Sequence, residues 1–71
     1  MTKIEQAISA TRGEMRHIGL DPEACNAETA HRVLDDLCRN GHELRNWYLS
    51  ASQAQIIGFI KGWNKWLKQI K

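Results

Sequence analysis

Apolar side chains recur along this chain in steps of four and three, broken by glycines and a single proline, and that pattern predicts a succession of helices. Thr2 followed three residues later by Glu5 forms a capping box that starts a helix at Lys3. Ile4, Ile8, Met15 and Ile18, with Thr11 filling the gap, give this first helix one narrow apolar face over residues 3–18, and Gly19 offers a left-handed stop. Gly13 lies inside it at a cost of roughly 0.8 to 1.0 kcal/mol relative to alanine, so the helix depends on tertiary contacts.

The run Leu20-Asp21-Pro22-Glu23 restarts a helix: aspartate caps, proline fits the first helical position and glutamate suits the positive end of the dipole. Asn26 is an equally good cap for the same helix, which is predicted over 22–40. It presents Ala27, Ala30, Val33, Leu34, Leu37 and Cys38 on one side and ends at Arg39-Asn40-Gly41. Residues 42–51, with Leu44, Trp47, Tyr48 and Leu49, suit a short helix or a strand; a short helix is the reading adopted. A second capping box, Ser52 with Gln55, opens the last helix, predicted over 53–70.

That last helix carries the most information. Ile56, Phe59, Ile60, Trp63, Trp66, Leu67 and Ile70 project into one stripe about 120° wide, with Lys61, Lys65 and Lys68 opposite. Gly58 and Gly62 have the G-x-x-x-G spacing that admits close helix approach, although its diagnostic value belongs to membrane spans. The expected architecture is all-α: one domain over residues 1–71, a small three-helix bundle, or four-helix if 42–51 is helical. Seven large side chains on one stripe exceed what the narrow or alanine-rich faces of the other helices cover, which suggests completion by homodimerisation.

Length sharpens this expectation, because 71 residues support a single core and chains this short need a staple: a disulfide, a metal, an oligomer contact or tight packing. The composition, 42% hydrophobic and 25% charged, is that of an ordinary globular protein. Glu5 stands where a signal peptide would begin its apolar stretch, and no long apolar run follows, so a cytoplasmic address is expected, with Cys25 and Cys38 as reduced thiols. Cys25, Cys38, His31 and His42 are the residue types of a zinc site, but there is no C-x-x-C pair and Cys38 falls on an apolar stripe, so no metal or other cofactor is expected. His17 reads as a helix-end residue favourable to the dipole.

No nucleophile with a base, phosphate loop or cofactor fingerprint is present, and the adjacent Asp35 and Asp36 point about 100° apart on a helix, so catalytic residues are not assigned. Charge is lopsided instead. Residues 1–43 contain eight acidic and five basic side chains, while residues 44–71 contain five basic and no acidic ones. Such asymmetry steers an acidic partner or a polyanion, or serves solubility alone.

Thr29-Ala30-His31-Arg32-Val33-Leu34-Asp35-Asp36-Leu37-Cys38-Arg39-Asn40-Gly41 resembles the recognition helix of winged helix-turn-helix proteins, with Ile18-Gly19-Leu20 resembling the upstream turn. The resemblance implies DNA contacts from Thr29, His31, Arg32 and Arg39, with lysines of the last helix on the phosphate backbone. It covers thirteen residues, the turn is lengthened by Glu23 to Ala27, no wing follows, and Glu28, Asp35 and Asp36 give the helix a face of mixed sign that neutralises phosphates badly. A membrane anchor is disfavoured because the last helix holds most of the large apolar residues of the core.

The function expected is therefore non-enzymatic: a regulatory or inhibitory module binding a partner protein, possessing acidic character, through its C-terminal amphipathic helix, with DNA binding as the alternative. Trp47, Trp63 and Trp66 are the expected anchors, Trp66 the most uncovered because it lies at the edge of the stripe, and Lys61, Lys65 and Lys68 the steering charges. Size and the missing catalytic signatures also suggest a regulator of phage or mobile-element type.

Overall fold

The computed structural model describes residues 2–70; Met1 and Lys71, which entered the domain span and the charge count, lie outside the described residues. Among the described residues the chain is helical with no strand: α1 (Lys3–His17), a 3-10 turn (Pro22–Ala24), α2 (Ala27–Arg39), α3 (Arg45–Ser50) and α4 (Gln53–Ile70). None of these helices is long and apolar enough to cross a membrane.

Local chemistry sets the boundaries. Thr2 Oγ1 accepts from the Glu5 N–H at 3.1 Å and opens α1. The Ser52 box is fully reciprocal: Ser52 Oγ accepts from the Gln55 N–H at 3.3 Å, and Gln55 Oε1 accepts from the Ser52 N–H at 3.0 Å. α1 closes in a Schellman arrangement, with the Leu20 N–H donating to the Met15 carbonyl at 2.7 Å, the Gly19 N–H to Arg16 at 3.2 Å, and Gly19 at φ +86°. Gly41, at φ +91°, ends α2 in the left-handed region that favours glycine.

The predicted 22–40 helix is two elements. Asp21 Oδ1 caps the Glu23 N–H at 3.1 Å, but this closes one 3-10 turn only, since Cys25 and Asn26 are extended. Asn26 Oδ1 then accepts from the Thr29 N–H at 2.9 Å and is the cap of α2. The ambiguous 42–51 segment is a short helix, α3, whose entry lacks a side-chain cap on its first turn; the His42 ring, through Nδ1, accepts from the Leu44 N–H at 3.1 Å just before it.

Helices α1, α2 and α4 pack pairwise into a three-helix bundle, with α3 laid against α2. α1 and α4 run parallel, as Ile4 meets Gly58, Ile8 meets Gly62 and Arg12 covers Trp66, one turn at a time. α2 runs back between them, bringing residues 42–44 beside Gln6, Ser9 and Ala10 of α1.

The buried line of α1 is Ala7, Thr11 and Met15, rotated from the isoleucine face expected of it. Thr11 is satisfied there because its hydroxyl donates to the Ala7 carbonyl at 2.7 Å. Ile4 and Ile8 flank that line and sit on the two glycines of α4, where an added Cβ would lie 2.8 Å from an isoleucine Cδ1 at either position. Ile18, expected on the buried face, is 53% exposed, because α1 ends one residue before it and the chain turns away at Gly19.

Phe59 and Trp63 of α4 are completely buried against Met15, Ala30, Leu34 and Cys38, and Leu44 closes the end of this cluster. The core therefore closes within one chain, and completion by dimerisation is not shown. The Cα radius of gyration, 11.2 Å, equals the value of about 11 Å for a compact domain of this length.

Candidate protein-interaction surface

The three tryptophans occupy different environments. Trp63 has no exposed surface, and its indole N–H donates to the Cys25 carbonyl at 3.0 Å, tying α4 to the segment before α2. This placement removes it from the accessible anchors expected from the stripe: the aromatic at the centre of the stripe meets α1 and α2 rather than a partner. Trp47 is half-buried on α3. Trp66 is half-buried at the α1–α4 seam, edge-on to Trp63 with ring centroids 5.0 Å apart, and the Arg12 guanidinium carbon stands 4.5 Å from its ring centroid.

Lys61, Lys65 and Lys68 are exposed along the outer side of α4. Ile57, 43% exposed, falls on the same side at 100° per residue, so this face combines apolar contact area with unopposed positive charge. Leu49 on α3 is also 56% exposed.

Sequence reasoning passed over Arg12, although its spacing, two turns on from Ile4 and one from Ile8, puts it on their side of α1. Open depressions of about 450 and 380 Å³ follow this seam. The first is floored by Ile4, Ile8, Gly62 and Trp66 with Lys65 on its rim; the second is closed by Arg12.

The four residues named by the helix-turn-helix resemblance lie along α2, where most are engaged with neighbours. Thr29 is half-buried at the start of the helix. Arg32 stands 3.7 Å from Glu28, and Arg39 Nε donates to Asp35 Oδ2 at 2.9 Å. His31 Nε2 lies 3.1 Å from the Tyr48 hydroxyl, which donates to Asp35 Oδ1 at 2.8 Å. One hydroxyl proton cannot serve both partners, so His31 must donate from Nε2.

The Tyr48 and Arg39 hydrogen bonds hold the Asp35 carboxyl below the ordinary aspartate range. Burial, reinforced by Asp35, pushes the Tyr48 phenol up to about 12. Burial also raises the Cys38 thiol, which packs as a small apolar group. Among the described residues no cluster of histidine, cysteine and carboxylate side chains is arranged to hold a metal ion. Nothing in the one-dimensional pattern signalled the Tyr48–Asp35–His31 tie, since it joins positions thirteen and seventeen residues apart across the α2–α3 turn.

Comparisons with protein-family models, curated proteins and solved structures found no match.

Proposed function

We propose that this chain is a non-enzymatic interaction module that docks an acidic partner protein through α4, with Trp66 as the apolar anchor and Lys61, Lys65 and Lys68 steering the encounter. The observation that carries the reading is the pairing, on one helix, of a half-buried indole with exposed lysines and no carboxylate between Gln53 and Ile70. On α2, by contrast, Arg32 and Arg39 face carboxylates of their own helix, which blunts the field a DNA phosphate would meet and speaks for the protein partner. A second copy of the chain is a weaker candidate, because the core is already closed by α1 and α2.

Site-specific photo-crosslinking in the source cells tests this, with a benzophenone side chain at Lys61 or Lys68 and, as reference, at Glu28 on α2. A protein captured from the α4 positions alone is then titrated with the purified chain. Weaker binding by Trp66→Ala, and a smaller salt dependence on replacing the three lysines by glutamine, support the reading. Equal capture from both helices, or duplex DNA bound more tightly than any captured protein, overturns it.

A further inference from the structure

The α1–α4 seam is a groove whose two walls repeat every four residues: Ile4, Ile8 and Arg12 on one helix, Gly62 and Trp66 on the other. From Ile4 to Arg12 the groove spans about 12 Å, the length of two helical turns. Ile8 is seated on Gly62, so the floor of the groove is made by Ile4, Ile8 and the Trp66 ring, and an apolar side chain entering there meets all three.

The end of the groove at Arg12 is charged and incomplete. The guanidinium carbon lies over the Trp66 indole, 4.5 Å from the ring centroid. Its Nε is buried with no hydrogen-bond acceptor, and no carboxylate pairs with it among the described residues. Arg39 shows the contrast, since its own helix supplies Asp35. A guanidinium presents a planar fork suited to a carboxylate, and Lys65 adds a second cation on the rim of the adjoining depression. Glu5, which lines both depressions, makes no ion pair with Arg12 and already accepts from the Thr2 hydroxyl at 3.3 Å.

We propose that this groove receives one short amphipathic helix of an acidic partner protein, with an apolar side chain laid on Ile4, Ile8 and Trp66, a carboxylate about one turn away bound by Arg12, and Lys65 adding positive charge on the rim of the adjoining depression. The inference rests on the reading of α4 as a docking surface for an acidic protein, and it moves the energetic centre of that surface from the lysine face to the seam. Charge complementarity selects the occupant: a neutral apolar helix leaves the Arg12 fork unused, and a basic one opposes Arg12 and Lys65.

The experiment is an NMR titration of the full isotope-labelled chain with a capped 14-residue synthetic peptide built on alanine, with leucines four apart and glutamates one turn beyond them, against the same peptide with glutamine for glutamate. Groove binding shifts the Ile4 and Ile8 methyl signals and the Trp66 indole N–H, and the glutamine peptide binds at least about ten-fold more weakly. Arg12→Gln brings the two peptides to within about two-fold of each other, and Lys65→Gln, at an exposed position, narrows the gap without touching the core. Equal binding of both peptides to the unaltered chain overturns the carboxylate site. Shifts confined to signals from Ile57, Lys61 and Lys68 overturn the groove and leave the acidic-partner reading standing, whereas no shift with either peptide overturns both.

Discussion

The Tyr48 hydroxyl donates a 2.8 Å hydrogen bond to the Asp35 carboxylate, and this contact, with His31 donating to the same hydroxyl, fastens the short α3 to the side of α2. A six-residue helix has little stability of its own, so its position depends on such ties. Asp35 is held below its ordinary value of 3.8, and the stability it contributes is present above pH 4 and lost as pH falls through its folded value. Tyr48 is displaced the other way: its contribution is complete below pH 10 and disappears as pH rises through about 12. Tyr48→Phe is expected to cost about 1 kcal/mol at pH 7, since Asp35 is partly solvated. It should also flatten the loss of stability as pH falls below about 4. Urea denaturation at a series of pH values, and an ultraviolet titration of the phenol, check both limbs; an unchanged acid limb in the variant would show that Tyr48 does not set the Asp35 equilibrium.

The helical glycines separate into two kinds. A Cβ at Gly13 meets nothing within 4 Å, so Gly13→Ala gains helix propensity without a clash and should stabilise the chain by about 0.8 to 1.0 kcal/mol. In a domain of this size that is a rise of roughly 4 to 8 °C in melting temperature. A Cβ at Gly58 lies 2.8 Å from Ile4 Cδ1, the flexible end of a half-buried side chain, so the same propensity gain in Gly58→Ala is offset by displacement of Ile4. The gain should reappear when Gly58→Ala is made in an Ile4→Ala background, and the double-mutant cycle reads that coupling from thermal melts. Additivity at Gly58 and Ile4 would mean that the two helices do not meet as described.

How much of this was legible in the chain follows from which forces were local. The cap at Thr2, the capping box at Ser52, the stops at Gly19 and Gly41 and the stripe of α4 are written within four residues of themselves; the structure carries them, with the box reciprocal at Ser52 and only its Thr2-to-Glu5 N–H half formed at Thr2. The start of α2 turned on a competition between Asp21 and Asn26 that propensity leaves balanced. The extended backbone at Cys25, whose carbonyl receives the Trp63 indole N–H, decides it through a contact thirty-eight residues away. The rotation of α1 likewise depends on its neighbours: only with α4 alongside do Gly58 and Gly62 become seats for Ile4 and Ile8, leaving Ala7, Thr11 and Met15 to the core. The site was half visible, since the lysines and Trp66 stand out on a helical projection. Arg12 gains its meaning from the ring it covers.

Trp63 and Trp66, three residues apart, should therefore respond differently to the same change. Trp63→Ala removes a buried indole and its hydrogen bond to Cys25, and at about 3 to 5 kcal/mol it consumes much of the stability of so small a domain. Trp63→Phe keeps most of the volume and is expected to cost about 2 kcal/mol. Trp66→Ala loses half-buried surface and the Arg12 contact, together about 1 to 2 kcal/mol, and stays folded. Circular dichroism melts separate the three, and a Trp66→Ala chain less stable than Trp63→Phe would place Trp66 in the core instead of at its rim.

The last prediction concerns assembly. The stripe of α4 looks too wide for a monomer on the sequence, yet Phe59 and Trp63 are sealed within the chain, and the apolar residues left most exposed are spread along it: Ile18, Leu20 and Ile70 where α1 and α4 end, Leu49 and Ile57 near the start of α4. Two separated apolar areas do not make one continuous interface of the size a stable dimer needs, about 800 Å² on each partner. The total accessible surface, 4722 Å², is also close to the roughly 4,500 Å² of an ordinary compact monomer of this mass. Sedimentation equilibrium across micromolar concentrations should return a single species of 8.2 kDa, independent of salt. A dimer that dissociates on Trp66→Ala would assign the α1–α4 seam to self-association, whereas a dimer indifferent to that change but broken by Leu49→Gln or Ile57→Gln would place the contact on the outer surface around α3 and the start of α4 and leave the seam open to a different protein.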